Sequence, residues 1–590
     1  MSDRAAVALA LAVCAGAWWS GDVPLAPAAL GMAVALLVRR PMLLVAGAAL
    51  VAAALGHRAW DGLAPPAPAD LVGQEVVLLS DPADVGGALR LDVGVGGRRV
   101  EAWARGAAAA ALRTRLAGER VVVEGRLRPP PPDSRRWLAL RHVSARMSVD
   151  EVTAWRPGSL ATRVANGLRR TLVQGAATLE RDRRALLTGF VLGDDRDQST
   201  AVADDFKAAG LTHLLAVSGQ NVAFVLVLCR PALRRLGLAG RWAASLAVIG
   251  FFGLLTRWEP SVLRASAMAA LAVTAVGLGR PTSRGRLLAL AVAAVVLLDP
   301  LLVHSVGFRL SVGASAGILV LATPLARRLP GPRWLAEAVA VTLGAQVGVA
   351  PVLVPVFGGL PVASIPANLL AVPAAGPLMA WGLTAGLAAG VVGPPADAVL
   401  HLPTSWLLAW VAGVARWAAT LPLGQLGLAH LAAAGAITAV AAVGARCRRR
   451  VALPVGVAGV TLAVLAPALL PSTAALNAAT PAAGARLWRS GGVVLVLDDA
   501  DGARLLDGLR RHAVRRLDVV VATRGTKAQA ATVALLRSRV DVGAVLAPRG
   551  HLIRGALVPA EGTVDVGGLR VVVAATEPAL KAEVQAGPTS

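Results

Sequence analysis

His213, Ser218, Gly219, Gln220 and Asn221 lie inside an apolar run that begins at Leu211 and lasts to Cys229, in the stretch 204–230, DDFKAAGLTHLLAVSGQNVAFVLVLCR. Further on, Arg264, Asp299, Arg309, Gln346 and Asn368 fall within or at the edges of other hydrophobic segments. An unpaired polar group in lipid costs several kcal/mol, roughly, so polar residues at membrane depth mark a functional site by default. Gln220, Asn221, Arg264, Arg309, Gln346 and Asn368 are hydrogen-bond donors. Their chemistry is either a wet polar path through the bilayer or bonding between helices. An arginine near a helix centre costs about 2.5–3.5 kcal/mol on insertion scales, so Arg264 and Arg309 should face a cavity or a carboxylate. Asp299 is that carboxylate only if the helices meet. His213 and Ser218 raise a hydrolase reading, but no carboxylate completes a triad and no Gly-x-Ser-x-Gly elbow is present. No catalytic residue is assigned. Gly219 is expected to break or kink its helix, freeing backbone groups to line a cavity.

The elements that must position these residues are membrane helices. The chain has 590 residues, 56% hydrophobic and 16% charged, with mean hydropathy +0.64, which excludes an ordinary soluble protein. The formal charge of +24 is almost all arginine, since lysine occurs only at Lys207, Lys527 and Lys581. Juxtamembrane arginines account for much of it, so the charge by itself does not establish nucleic-acid binding. Cys14, Cys229 and Cys447 form no CxxC pair, and no Gly-x4-Gly-Lys-Ser/Thr loop occurs.

Five regions follow. Residues 1–60 hold three short apolar segments, 5–20, 25–38 and 41–56, an uncleaved anchor. Residues 61–150 carry short alternating runs (EVVLLS, ALRLDVGV, RRVEAWA, ERVVVEGRL) that read as strands of a small β-domain; an OB-like barrel is one solution. PPPPDS at 129–134 reads as a surface loop. Residues 151–205 are a basic amphipathic helical region, with Leu160, Val164, Leu168, Leu172 and Leu179 at helical spacing over 156–184; its arginines suit anionic lipid headgroups or DNA. Residues 206–471 are a bundle of about ten spans, at 211–229, 242–256, 261–278, 286–298, 305–325, 336–356, 364–391, 400–419, 428–445 and 452–470. Residues 472–590 form a short α/β domain with helices at 501–513 and 527–537. Arginine-rich loops at 39–40, 230–241, 280–286, 327–333 and 446–450 alternate with arginine-poor ones. The positive-inside rule then puts the N-terminus in the cytoplasm and both soluble domains outside. The fold class is a polytopic α-helical membrane protein with an extracytoplasmic β-insert and a C-terminal α/β domain.

HLLAVSGQNV at 213–222 resembles the signature of the ComEC competence family, bacterial inner-membrane DNA-uptake channels. LLTGFVLGDDRDQS (186–199), EPSVLRASAMA (259–269), LDPLLVHSVGFRLSVGASAGI (298–318) and AQVGVAPVLVPVFGGLPVASIPANLLAVP (345–373) resemble further family segments, in the family's order. The resemblance implies passage of one DNA strand across the cytoplasmic membrane, with a DNA receptor outside, a cytoplasmic motor, and a second copy of the chain left open as a partner. Two departures stand out. Gln220-Asn221 replaces the common Leu-His, which removes a proton-sensing histidine, and Arg309 replaces a glutamine. The C-terminal domain resembles a degenerate, truncated metallo-β-lactamase. Its ligand positions hold Arg524, Thr526, Ala528 and Gln529, which cannot replace the imidazoles and carboxylates of a dinuclear site. The expectation is no metal, no cofactor and no nuclease activity, with His512 and His551 as surface residues. The competing readings are a membrane-anchored ligand-binding assembly protein and a small-molecule transporter. Clustered polar groups argue against the first, and the lack of internal duplication against the second.

Overall fold

A computed structural model describes residues 2–38, 40–215, 219–277, 283–421, 423–446, 459, 462, 476–512 and 514–586. The chain divides into two compact units. The first holds Met1–Ser199, Leu211–Val352 and Ala367–Ala415; the second holds Thr200–Gly210, Leu353–Pro366 and Arg416–Ser590.

In the first unit the anchor is three helices, α1 (Asp3–Trp19), α2 (Leu25–Val38) and α3 (Pro41–Asp61). Ser2 caps α1 by accepting from the Ala5 amide at 3.2 Å, and Pro41 opens α3 where no amide proton is needed. At one end of the anchor Asp3 binds Arg286 and Ser283. Trp18 and Trp60 lie at the other end.

The insert comprises β1 (Ala69–Leu78), β2 (Ala83–Val85), β3 (Ala88–Val95), β4 (Arg98–Ala104), α4 (Gly106–Leu112), β5 (Arg120–Arg128), α5 (Pro132–Ala139) and β6 (Val143–Arg156). The sheet order is β1-β5-β6-β4-β3-β2, and β3 also pairs with β1, so five strands close on themselves. Only β4 and β6 run parallel. Gly86 and Gly87, both at positive φ, make the two-residue turn between β2 and β3 that other residues adopt at a penalty. The alternation read from sequence is the inside–outside alternation of these strands, with Val76, Leu91, Val93, Val121, Val123 and Met147 in the core. Two boundaries differ from expectation. PPPPDS is not wholly a loop: Pro132 starts α5, with Asp133 in its first turn favoured by the helix dipole. The last strand runs on to Arg156.

The expected helical stretch 156–184 is two helices, α6 (Leu160–Gly175) and α7 (Arg181–Leu192), separated by a 3-10 turn at Ala176–Thr178. At the end of α6 the chain makes a close approach: a β-carbon on Gly175 would stand against backbone of Gly386, Ala389 and Gly390. The face of α6 also departs from the amphipathic reading. Asn166 and Arg169 are buried, whereas Leu160 and Val164 are exposed, so Arg169 is not on an exposed basic face.

After α8 (Thr200–Ala208) and α9 (Thr212–Leu215) the bundle continues with α10 (Gly219–Leu233), α11 (Leu238–Leu255), α12 (Pro260–Gly277), α13 (Arg284–Leu298) and α14 (Val306–Gly317). A π-turn at Ile318–Ala322 joins α14 to α15 (Thr323–Ala326). Then come α16 (Arg333–Phe357), α17 (Ser364–Val392), α18 (Ala396–Leu400), α19 (Leu402–Thr420) and α20 (Leu428–Arg446). Among the described residues five helices are long and apolar enough to cross a membrane: Pro41–Asp61, Leu238–Leu255, Val306–Ala326, Arg333–Phe357 and Ser364–Val392. The expected span 211–229 is divided between α9 and α10, and most of 452–470 lies outside the described residues.

Helices α14 and α16 meet along glycines. A β-carbon on Gly348 would stand against the carbonyl oxygen of Gly313, and one on Gly317 against that of Gly344. Small residues four apart let two backbones touch, the usual device where lipid supplies no hydrophobic drive between helices. Because backbone cannot yield, Gly348→Leu should destabilise the bundle by about 3 kcal/mol. The measurement is thermal unfolding in detergent, with Gly348→Ala falling between wild type and Gly348→Leu.

In the second unit two short strands pair, β7 (Leu360–Pro361) with β8 (Gln425–Leu426), and a mixed sheet has the order β13-β12-β11-β10-β9, from β9 (Leu476–Ala482), β10 (Ala485–Arg489), β11 (Val493–Leu497), β12 (Arg516–Ala522) and β13 (Asp541–Leu546). Strands β11, β12 and β13 are parallel. Helices Gly502–Arg511 and Lys527–Arg537 cover one face through Leu505, Leu509, Val533 and Leu536. Three further strands, Gly562–Val566, Leu569–Ala575 and Lys581–Ala586, pack on the other face through Val566, Leu569 and Val571. Helix α8 belongs to this unit. Arg510 binds Asp204 in a bidentate pair at 2.6 and 2.7 Å, Arg539 pairs with Asp205, and Lys207 pairs with Asp507.

Candidate functional site

Arg264 sits in the second turn of α12, and only 8% of it is exposed. Its Nε donates to Ser311 Oγ at 2.8 Å, and one terminal nitrogen donates to Ser315 Oγ at 3.0 Å and to the Met268 sulfur at 3.4 Å. Ser311 and Ser315 are four apart, so they share one face of α14. Ser315 in turn donates to the carbonyl of Ser311, which orients its hydroxyl. Among the described residues no carboxylate pairs with Arg264. The guanidinium is held in place by neutral partners. The sequence pointed to Arg264 but not to the serines; their four-residue spacing in RLSVGAS was the available signal.

The other expected residues do not gather around it. Asn221 is buried and donates to the Phe190 carbonyl at 3.0 Å, tying α10 to the end of α7. Asp299 is no partner of either arginine. It accepts from the Leu301 amide and pairs with His142 of the β-insert at 2.9 Å, so it links insert to bundle. Arg309 lies on the other side of α14, over the Trp18 ring at 5.8 Å. Gln346 is two residues from both Gly344 and Gly348, so it points away from the contact with α14. Asn368 is half-buried near the start of α17, and His213 and Gln220 are exposed. Gly219 is the first residue of α10, and Ser218 lies outside the described residues.

A second constellation was not anticipated. Asp81, in the loop after β1, accepts from Arg169 of α6 at 2.8 Å and from Arg257, beyond α11, at 2.8 Å. Arg169 also reaches Asp194 at 3.2 Å and the Leu255 carbonyl at 2.8 Å. Arg196 grips Asp194, and Arg257 donates to the Asn166 side chain at 2.9 Å. Burial disfavours ionised Asp81, but Arg169, Arg257 and Arg196 outweigh it and hold its carboxyl below the usual range. Burial likewise opposes ionisation of Asp194, and the Arg196 guanidinium beside it overcomes this and lowers its pKa. The network fastens the insert, α6 and the loop after α7 to the bundle.

In the C-terminal domain the four residues singled out from the resemblance, Arg524, Thr526, Ala528 and Gln529, differ in burial. Arg524, Thr526 and Ala528 are exposed, while Gln529 is buried. Its Oε1 accepts from the Arg524 and Gly525 amides at 3.0 and 2.7 Å. Its Nε2 donates to the Leu497 carbonyl at 3.0 Å and to that of Asp498. One amide thus ties together the loops after β11 and β12. Among the described residues no three His, Cys, Asp or Glu side chains come together to hold a metal. Gln529→Ala would leave these buried groups unpaired and should destabilise the domain by about 1–3 kcal/mol. Hydrogen exchange of the full chain should then quicken at 497–498 and 523–525.

The family model described as competence protein matches residues 190–451. Among curated proteins, the chain is 28% identical over 208 residues to an uncharacterized protein, YcaI, of Escherichia coli, covering 32% of this chain and 27% of that one. It is 28% identical to ComE operon protein 3 of Bacillus subtilis, over 32% of this chain and 25% of the relative. Competence protein ComA of Neisseria gonorrhoeae is 29% identical over 303 residues, 46% of this chain and 40% of the relative. The chain thus aligns with less than half the length of each of these relatives. No solved structure matches. Residues 190–451, from the end of α7 through α20 with the buried Asn221 and Arg264, are thus the part of the chain that is similar to the competence protein family.

Proposed function

We propose that this protein moves single-stranded DNA across the bacterial cytoplasmic membrane during natural transformation. The observation that carries the reading is Arg264, a buried guanidinium fixed by Ser311 and Ser315 with no carboxylate partner among the described residues. A strand with a charge on every phosphate supplies the missing anion, repeatedly and without sequence preference. The names of the relatives, a competence protein and a ComE operon protein, support the same reading. The closed five-strand circuit with one parallel pair supports an OB-like barrel as the insert. The pairing of Asp3 with Arg286 and of His142 with Asp299, at opposite ends of α13, supports a cytoplasmic N-terminus and an insert outside. The C-terminal domain acts without a nuclease centre, because Gln529 fills the ligand position as a structural amide. Energy comes from a separate cytoplasmic motor, and a receptor outside delivers the DNA.

The experiment is complementation. A naturally transformable host lacking its own family member receives this chain, and nuclease-protected labelled DNA is measured in the cytoplasm. Restored import is expected. No import, with the chain present in the membrane at wild-type level, overturns the reading.

A further inference from the structure

We propose that Trp18, backed by His304 and Trp60 and flanked by Arg309, is a stacking platform for a nucleobase of the incoming single strand. The inference rests on the DNA-transport reading and goes beyond it by assigning a site where bases, rather than phosphates, are held. Trp18 is in the last turn of α1 and is 53% exposed. Its ring centroid lies 4.5 Å from that of His304 at an interplanar angle of 34°, and Trp60 meets His304 edge-on at 5.7 Å and 64°. Arg309 lies over the Trp18 ring at 5.8 Å. Four separate pieces of chain, α1, α3, the 3-10 turn Pro300–His304 and α14, converge to build this group.

Its chemistry suits a base and a phosphate together. Every base has a π-face that stacks on an aromatic ring, and arginine adds a cation–π contribution. The Nε of Arg309 and the Nε2 of His304 are buried and have no hydrogen-bond partner among the described residues. Arg136 of the insert bears electrostatically on His304, alongside Arg309. The nearby carboxylates are engaged elsewhere, Asp22 and Asp61 with His57 and Asp299 with His142. A tryptophan that merely marks a membrane interface needs only lipid around its ring. Trp19, 65% exposed, fits that description; Trp18, built into a stack beside an arginine, does not. Arg309 is in the first turn of α14, on the side of that helix away from Ser311 and Ser315, so the stack is a site separate from the Arg264 face.

The test uses the full chain in lipid nanodiscs and two labelled strands of about 12 nucleotides, oligothymidine and an abasic strand of equal length. Trp18→Leu should weaken oligothymidine binding by about tenfold, Trp18→Phe by no more than about twofold, and neither should change binding of the abasic strand. Equal oligothymidine binding by Trp18→Leu and wild type would overturn the platform and leave Trp18 as an interfacial anchor. A second measurement needs no variant: a 5-iodouracil strand irradiated on the wild-type protein should crosslink to the peptide containing Trp18, and absence of that crosslink from bound DNA overturns the platform equally. Wild-type protein that binds neither strand sinks the transport reading itself, a separate outcome.

Discussion

Arg264→Leu should lower DNA import by about 100-fold while the protein remains in the membrane at its normal level. The reasoning starts from the charge-assisted hydrogen bonds that a guanidinium can offer a phosphate, each worth about 1.5–3 kcal/mol. Leucine removes them and leaves Ser311 and Ser315 as neutral lining. Because Arg264 has no carboxylate to leave behind, its removal strands no buried charge, so the loss falls on transport rather than on folding. Arg264→Lys should retain part of the activity. It keeps a charge but not the planar fork that spans two hydroxyls. The measurement is import of labelled DNA, normalised to membrane-resident protein. An Arg264→Leu variant that folds normally and imports like wild type removes Arg264 from the path.

Asp81→Asn should act in the opposite sense, on the fold first. Arg169 and Arg257 both depend on Asp81, and Arg169 is buried with it. Breaking a buried pair from one side costs up to about 3–5 kcal/mol, and the loss here should fall towards the lower end because Arg169 keeps Asp194 and Arg257 keeps the Asn166 side chain. The expected result is early loss of the insert, read by thermal unfolding and by protease cleavage near the loop after β1. The pH dependence follows from the same residues. The carboxyls of Asp81 and Asp194 are held below their ordinary range in the folded protein, burial being outweighed by the arginines. A depressed folded-state pKa gives stability that is complete above the unfolded value, about 3.9 for aspartate, and is lost as pH falls through the lower folded value. The network's contribution should therefore hold from neutral pH down to about pH 4 and fade below it.

What could be read from the residues was what local physics decides. The three anchor segments are helices at nearly their expected limits, and the tail helices expected at 501–513 and 527–537 are Gly502–Arg511 and Lys527–Arg537. Periodicity and capping act over a few residues, so they leave a signature in the string. Partners distant in sequence do not. Arg169 counted as one more basic residue on a helix face; its carboxylate, Asp81, is 88 positions away. Asp299 was weighed against Arg264 and Arg309, yet its partner is His142, 157 positions earlier in another domain. The need for a glycine at 175 is visible only once Gly386 and Gly390 are seen beside it. Asn221 and Arg264 are buried and Arg309, Gln346 and Asn368 half-buried, but the string of residues could not say that they divide among separate faces. Gln529 was read as a lost ligand; that it knits two loops depends on the carbonyls of Leu497 and Asp498, contributed by another strand.

The central claim is that the Arg264 face of α14 meets the moving strand. Site-specific photocrosslinking during import tests it directly, with a photoreactive amino acid placed in turn at Ser311 and at Val320. Ser311 bonds Arg264, whereas Val320 lies in the π-turn with 66% of its surface exposed on the outside of the unit. Transit of labelled DNA should give a crosslink at Ser311 and none at Val320. Crosslinks at both positions, or at neither while import proceeds, would contradict the account.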